Sequence, residues 1–136
     1  MNLILANNLP ISQLEIDDDW TSHYGDWVFH KTKFPNPKDL IERLKLKIPA
    51  VSVWMHPFIS TDAAAFPITA AQDMLIKAAA DVAPGLLKWW NPGYAALLDF
   101  SKNQTAQWFL NATNNLRGMY SVDSFKFDAG EIYSSN

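Results

Sequence analysis

The chain has 136 residues, 49% of them hydrophobic and 13% aromatic, and a formal net charge of −3. That content sustains a packed core, allows one domain at most, and excludes a disordered tail. Basic residues between Lys31 and Lys47 form only a loose cluster of the kind found on solvated helix faces. Neither a nucleic-acid footprint nor a polybasic membrane patch is present.

The chain has no cysteine, which removes disulfides, thiolate metal ligands and thiol nucleophiles. No run approaches the roughly 20 apolar residues of a membrane span. The segment from Met1 to Ala6 lacks a basic n-region, so no secretory leader and no membrane contact are expected from it. The two N-glycosylation patterns, at Asn103 and Asn111, fall in a predicted helix and read as chance matches.

In chain order, the first ten residues read as the tail of a helix closed by Asn7, Asn8 and Pro10. In "ISQLEIDD", Leu14 and Ile16 alternate with Gln13, Glu15 and Asp17, the period of a strand. "FPNPKDLIERLKLK" is a helix with Asn36 as cap, Pro37 at its first position and Leu40, Ile41 and Leu44 as its apolar stripe, ended by Pro49. "AVSVWMHPF" is a second strand, with Val51, Val53 and Met55 opposite Ser52, Trp54 and His56, and Pro57 terminating its pairing.

Residues 60 to 94 read as a long loop or small insertion. Helical pieces are expected at Ala63–Ala65 and Ala78–Ala80, interrupted by Pro67, Pro84, Gly85, Pro92 and Gly93. "AALLDF" is a short extended run. Residues 102 to 117 form a helix with Ala106, Phe109, Leu110 and Thr113 or Leu116 on one stripe and Trp108 in the core, and Gly118 stops it. A last strand covers residues 122 to 128, where Phe125 and Phe127 face away from Lys126 and Asp128.

Alternation of helix and strand predicts an α/β fold with parallel strands and crossover helices. Each strand sets apolar residues on one face and polar or aromatic residues on the other. In a closed barrel, the second face points inward and meets substrate at the C-terminal rim. Asp17, Asp18, Trp54, His56, Lys126 and Asp128 all sit near strand C-termini, which favours a site over a core. A complete barrel of this kind takes about 250 residues and eight strands. Three strands therefore predict a fragment of a larger (β/α)8 TIM-barrel enzyme, a single partial catalytic barrel over residues 1–136 with an insertion at about 60–94.

Four blocks in order, "SQLEIDDDW…YGDWVFHKTKFPNPKDLI", "VSVWMHPFI", "LLKWWNPGYAALLDF" and "YSVDSFKFDAGE", resemble glycoside hydrolase family 31. Within that family they are similar to the animal subgroup typified by the myogenesis-regulating glycosidase, an α-galactosidase-like enzyme. The resemblance implies a (β/α)8 barrel and retaining hydrolysis of α-linked sugars by an aspartate nucleophile and an aspartate acid/base. Asp128 matches the nucleophile position, and Lys126 the basic residue two positions before it. Asp17 matches the carboxylate that binds sugar hydroxyls, while Trp54, Trp90 and Asn91 match the sugar pocket. The acid/base residue is expected beyond Asn136, which would leave this piece inactive alone. The subgroup also implies a lumenal or membrane-anchored setting.

The chemistry fits those residue types. A retaining glycosidase needs one ionised carboxylate to attack the anomeric carbon and a protonated one about 5–5.5 Å away. A cation within ~4–6 Å favours the ionised form, so Lys126, on the same strand face, is expected to keep Asp128 charged and to bind a sugar hydroxyl. Consecutive carboxylates at 17, 18 and 19 point to different sides and do not converge on one ion. Asp18 is assigned to local structure, Glu131 to support or helix capping, and His56 to a hydrogen bond with a neighbour. No cofactor and no metal site are implied.

Two other readings stay open. One is a metal-dependent barrel enzyme, with Asp17, Asp128 and Glu131 binding a divalent ion and Lys126 as base. The other is a non-catalytic sugar-binding relative.

Overall fold

The computed structural model describes residue 4 and residues 6–79, 82–89 and 93–130. Along the chain run β1 (Gln13–Ile16), α1 (Pro37–Lys45), β2 (Ala50–Met55), β3 (Phe58–Ser60), α2 (Ala65–Ala71), β4 (Leu86–Lys88), β5 (Tyr94–Leu97), α3 (Asn103–Tyr120) and β6 (Ser124–Phe127). Residues 4 and 6 are helical, and the turn after them has Asn8 at a φ of 53°.

Strands β1, β2 and β6 form one parallel sheet with β2 in the centre. Register places Leu14 beside Val51, Ile16 beside Val53, and Val53 beside Phe125. The period-two apolar set thus lines one face, where α1 packs on both β2 and α3. Polar and aromatic residues line the other face, with Glu15 beside Ser52 and Trp54 beside Lys126. Being central, β2 is covered on both faces, and Val51 to Met55 are all buried.

Helix α1 has Pro37 in its first turn, where a missing N–H costs nothing. Asn36 precedes it but makes no side-chain cap; its carbonyl instead accepts the Leu40 N–H at 3.0 Å. The docking of α1 rests on Ile41, which is fully buried and contributes about 1.5–3 kcal/mol. The exposed Asp39–Arg43 pair at 3.0 Å belongs to a class worth about 0.3–0.5 kcal/mol. Packing decides.

Three expectations along this stretch are corrected. Helix α3 does not stop at Gly118 but runs to Tyr120, with Ser121 taking the left-handed position at a φ of 60°. Tyr120, in the added turn, packs on Phe29 with ring centroids 5.0 Å apart. Of the expected stripe, Thr113 and Leu116 are buried and Ala106 and Phe109 partly so, but Leu110 is half exposed and Thr105 joins the buried set. Threonine can be buried here because its hydroxyl finds a carbonyl: Thr113 donates to Leu110 O at 2.8 Å. Trp108 is only partly buried and packs against both apolar clusters of the molecule.

Residues 60–94 are more ordered than a loop. Pro57 ends pairing in the parallel sheet, but the chain re-pairs at once: β3, β5 and β4 form a second, antiparallel sheet. Helix α2 begins at Ala65, close to where a helical piece is expected. Ala78 and Ala79 are not helical. Lys77 bridges to Pro84, and Ala78 N–H donates to Ala83 O at 2.9 Å, so the chain folds back on itself. This unit has its own small core of Ile59, Met74, Leu75, Ala96 and Leu98.

Candidate active site

At the C-terminal end of the parallel sheet the polar faces of β1, β2 and β6 converge. Asp128 lies one residue past β6, and its N–H continues the ladder to Met55 O at 2.9 Å. Its carboxylate is held at both oxygens. Oδ1 accepts the Ala129 N–H at 2.7 Å, and Oδ2 accepts the Trp54 indole N–H at 3.0 Å. Lys126 Nζ stands 3.4 Å from the same Oδ2.

Lys126 is shared. Its ammonium lies 3.1 Å from Glu15 Oε1 and 3.2 Å from Asp17 Oδ2. Three carboxylates from two strands therefore surround one cation, and the lysine pKa rises well above its ordinary range, first through Glu15 and then through Asp17. Asp128 is held below the ordinary carboxylate range, first by the Trp54 indole N–H, then by the Ala129 N–H, and only after those by Lys126. The sequence-based expectation named the lysine alone. The indole donor was not visible there, because it depends on the register that sets Trp54 beside Lys126. For Asp17, partial burial pushes the pKa up, but the Asp18 N–H and Lys126 outweigh it and the net shift is downward.

The acidic run at 17–19 divides three ways. Asp17 turns to Lys126, Asp18 Oδ1 accepts the Tyr24 hydroxyl at 2.6 Å, and Asp19 pairs with Lys33. Tyr24 carries no assignment from sequence; it lies in a loop without periodicity. Its ring meets Trp54, His56 and Trp89 edge-on at 6.1, 5.3 and 5.1 Å. Burial and the Asp18 bond hold its phenol pKa above its usual value.

Trp54 is only 1% exposed, and its backbone carbonyl accepts the Trp20 indole N–H at 2.8 Å. Its ring stacks parallel to Trp89, with centroids 6.0 Å apart. His56 is buried against the rings of Trp27, Trp54 and Trp89 at 4.6–4.9 Å, and burial pushes its pKa down to about 3. Its Nδ1 accepts the Phe58 N–H at 3.2 Å, so the imidazole is neutral with its proton on Nε2. His56 and Asp128 also line an apolar cleft of about 220 Å³ with Met55, Phe100, Phe109 and Phe127.

Of the residues singled out from sequence, Asp17, Trp54, Lys126 and Asp128 come together in one hydrogen-bonded cluster. Trp90, Asn91 and Glu131 lie outside the described residues. Glu15 belongs to the cluster and was not anticipated; its inward position follows from the same alternation as Asp17. Among the described residues, no group of three or more histidine, aspartate or glutamate side chains is arranged to hold a metal ion.

Comparison with known proteins gives this chain a family. The model of the glycosyl hydrolases family 31 TIM-barrel domain matches residues 1–136. The chain is 40% identical over 121 residues to the myogenesis-regulating glycosidase of Mus musculus, covering 89% of this chain and 17% of that protein. It is 27% identical over 128 residues to an α-xylosidase of Emericella nidulans, covering 91% and 16%. Among solved structures, the Flavobacterium johnsoniae GH31 dextranase complexed with glucose superposes with a TM-score of 0.85 at 21% identity, covering 95% of this chain and 16% of that one. A xylosidase from Aspergillus niger does so with a TM-score of 0.78 at 20% identity, covering 91% and 17%. The chain thus spans about a sixth of the length of these relatives. With a parallel β1–β2–β6 sheet in a fold those enzymes share, and a family match along its whole length, the chain belongs to glycosyl hydrolase family 31, as part of its TIM-barrel domain.

Proposed function

We propose that this chain carries the nucleophile side of a retaining α-glycosidase site, with Asp128 as the nucleophile. The observation that carries the reading is the state of that carboxylate. Two N–H donors orient it, and its pKa is lowered, so it is ionised and aimed at neutral pH. A nucleophilic carboxylate must be in that form to attack an anomeric carbon.

Asp17 and Lys126 are assigned to sugar hydroxyls, since they lie on the same inward face and remain partly exposed. Trp54 contributes through its N–H on Asp128 and, being buried, supports the pocket from behind. Trp90 and Asn91 keep their assignment as sugar-pocket residues on the family resemblance. The substrate class is an α-linked sugar, galactoside or glucoside by resemblance. The names of the similar proteins, a glycosidase and an α-xylosidase, support that class.

Hydrolysis also needs an acid to protonate the leaving oxygen. Asp17 is unsuited to that task, because its lowered pKa keeps it ionised and Lys126 engages it. By the family resemblance, which places the acid/base aspartate further along the barrel, we assign the acid to a carboxyl outside residues 1–136, and expect this segment alone to be inactive. The metal-dependent reading is disfavoured on two grounds. The Lys126 ammonium occupies the space between Asp17 and Asp128 where a divalent ion would have to sit. Its raised pKa also makes it a poor general base.

The test is Asp128→Asn in the full-length protein. Loss of a nucleophile costs on the order of 10⁴-fold or more in turnover. An activated 2-fluoro-glycoside should also leave a covalent sugar on the peptide containing Asp128. Substantial residual hydrolysis by the variant would overturn the assignment. Sugar binding without turnover by the unmodified full-length protein would favour the non-catalytic relative.

A further inference from the structure

We propose that Glu15 is a positioning residue, the tether that keeps the Lys126 ammonium beside the reacting sugar when Asp128 loses its charge; this rests on the assignment of Asp128 as nucleophile. An ammonium has three N–H donors. Lys126 has three carboxylate neighbours, Glu15 at 3.1 Å, Asp17 at 3.2 Å and Asp128 at 3.4 Å. The ammonium thus sits among all three, hydrogen-bonded to Asp17 and ion-paired with Glu15 and Asp128, and Asp128 is the most distant of them.

In the first chemical step an Asp128 oxygen bonds to the anomeric carbon and the glycosidic carbon–oxygen bond breaks. The leaving oxygen takes a proton from a carboxylic acid of the full-length enzyme. Asp128 is then a neutral ester, so its attraction for Lys126 falls and one N–H becomes available to a sugar hydroxyl. Asp17 is at the same time drawn toward substrate hydroxyls. Glu15 is the carboxylate in the cluster with neither task.

The geometry agrees with that division. Glu15 projects from β1 two residues before Asp17, on the inward face, and reaches Lys126 from deeper in the sheet. Its side chain is less exposed than that of Asp17, at 30% against 55%. It is also the largest influence on the lysine, ahead of Asp17 and Asp128. Without it, an alkylammonium on four rotatable bonds would follow whichever carboxylate remained charged.

The experiment is a double-mutant cycle in the full-length protein with Glu15→Gln and Lys126→Met, scored on kcat and KM separately. Glu15→Gln alone should lower kcat by about ten- to a hundredfold, since a misplacement of about 1 Å can cost about a hundredfold, with KM within about twofold and the thermal midpoint unchanged. Glu15→Asp, shorter but charged, should recover part of kcat. In the Lys126→Met background, Glu15→Gln should cost nothing further, because its only route to the reaction is gone. Wild-type kcat in Glu15→Gln, or an equal loss in both backgrounds, would overturn the proposal. If Asp128→Asn is inactive while Glu15→Gln is unaffected, only this inference fails; if Asp128→Asn turns over, the nucleophile reading fails first.

Discussion

The indole of Trp54 donates to Asp128 at 3.0 Å across the β2–β6 pair, although the residue directly beside Trp54 in register is Lys126. Asp128 is one residue beyond β6, and its carboxylate spans the Trp54 indole N–H and the N–H of Ala129, whose φ is 55°. A buried, rigid donor therefore does more to hold this carboxylate ionised than a mobile cation does. Trp54→Phe keeps the ring and removes the donor. The Asp128 pKa is depressed at present, so losing its main cause moves it up, and activity should begin to fall at a higher pH as acid is added. The acid limb of kcat/KM in the full-length enzyme should shift to higher pH, with a loss of about tenfold at neutral pH, in the range for a hydrogen bond to a charged group. An unmoved acid limb would mean that Trp54 only packs.

How much of this arrangement could be read from the residues alone differs by strand. In β1, β2 and β6 the period-two alternation is unbroken, so Leu14, Val51, Val53 and Phe125 declare one face, and Asp17, Trp54, Lys126 and Asp128 the other. Lys126 and Asp128 are two apart on one strand, and their proximity needed no further knowledge. Glu15 obeys the same alternation, but its role depends on a lysine 111 positions away, two strands across. Alternation gives a face; it does not give a register. Strands β3 and β4 are harder, because three residues carry too little period to detect; β5 shows only as the extended run "AALLDF", and its pairing, as of Leu97 with Phe58, is purely long-range. Tyr24 and His56 acquire meaning only from the rings around them.

Two glycines should respond to alanine in opposite directions. Gly25 has a φ of 102°, and a Cβ there would lie 2.6 Å from Ile59 Cδ1 and 3.0 Å from Ile59 Cα. Its neighbour Tyr24 accepts the Ser60 N–H at 2.9 Å, so the loop cannot retreat without breaking that bond. Gly25→Ala should destabilise by about 1–3 kcal/mol. Gly118 lies inside α3 with nothing within 4 Å of an added Cβ, so Gly118→Ala should stabilise by about 0.4–1 kcal/mol. Urea unfolding of both variants in the full-length protein checks the signs, and equal effects would contradict the geometry.

His56 makes acid sensitivity a further measurable. Burial lowers its folded pKa to about 3, while in the unfolded chain it titrates near the ordinary value of 6.5. Between those values the unfolded state binds a proton that the folded state refuses. Stability should therefore be complete above about pH 6.5 and decline as pH falls toward 3, with a slope of about 1.4 kcal/mol per pH unit. The folded pKa values of Asp17, Asp99 and Asp123 are depressed below 3.8, so their contributions are lost at lower pH. The interval from about 4.5 to 6.5 thus isolates the histidine from these carboxylates. His56→Gln supplies a carbonyl for the Phe58 N–H but does not titrate. It should be less stable than the parent at pH 7, by about 1–3 kcal/mol for lost packing, and yet show a flatter decline between pH 6.5 and 4.5. Parallel stability curves for parent and variant across that interval would show that His56 is charged in the fold, and the aromatic enclosure of Tyr24, Trp27, Trp54 and Trp89 could not then be closed to water as it stands here.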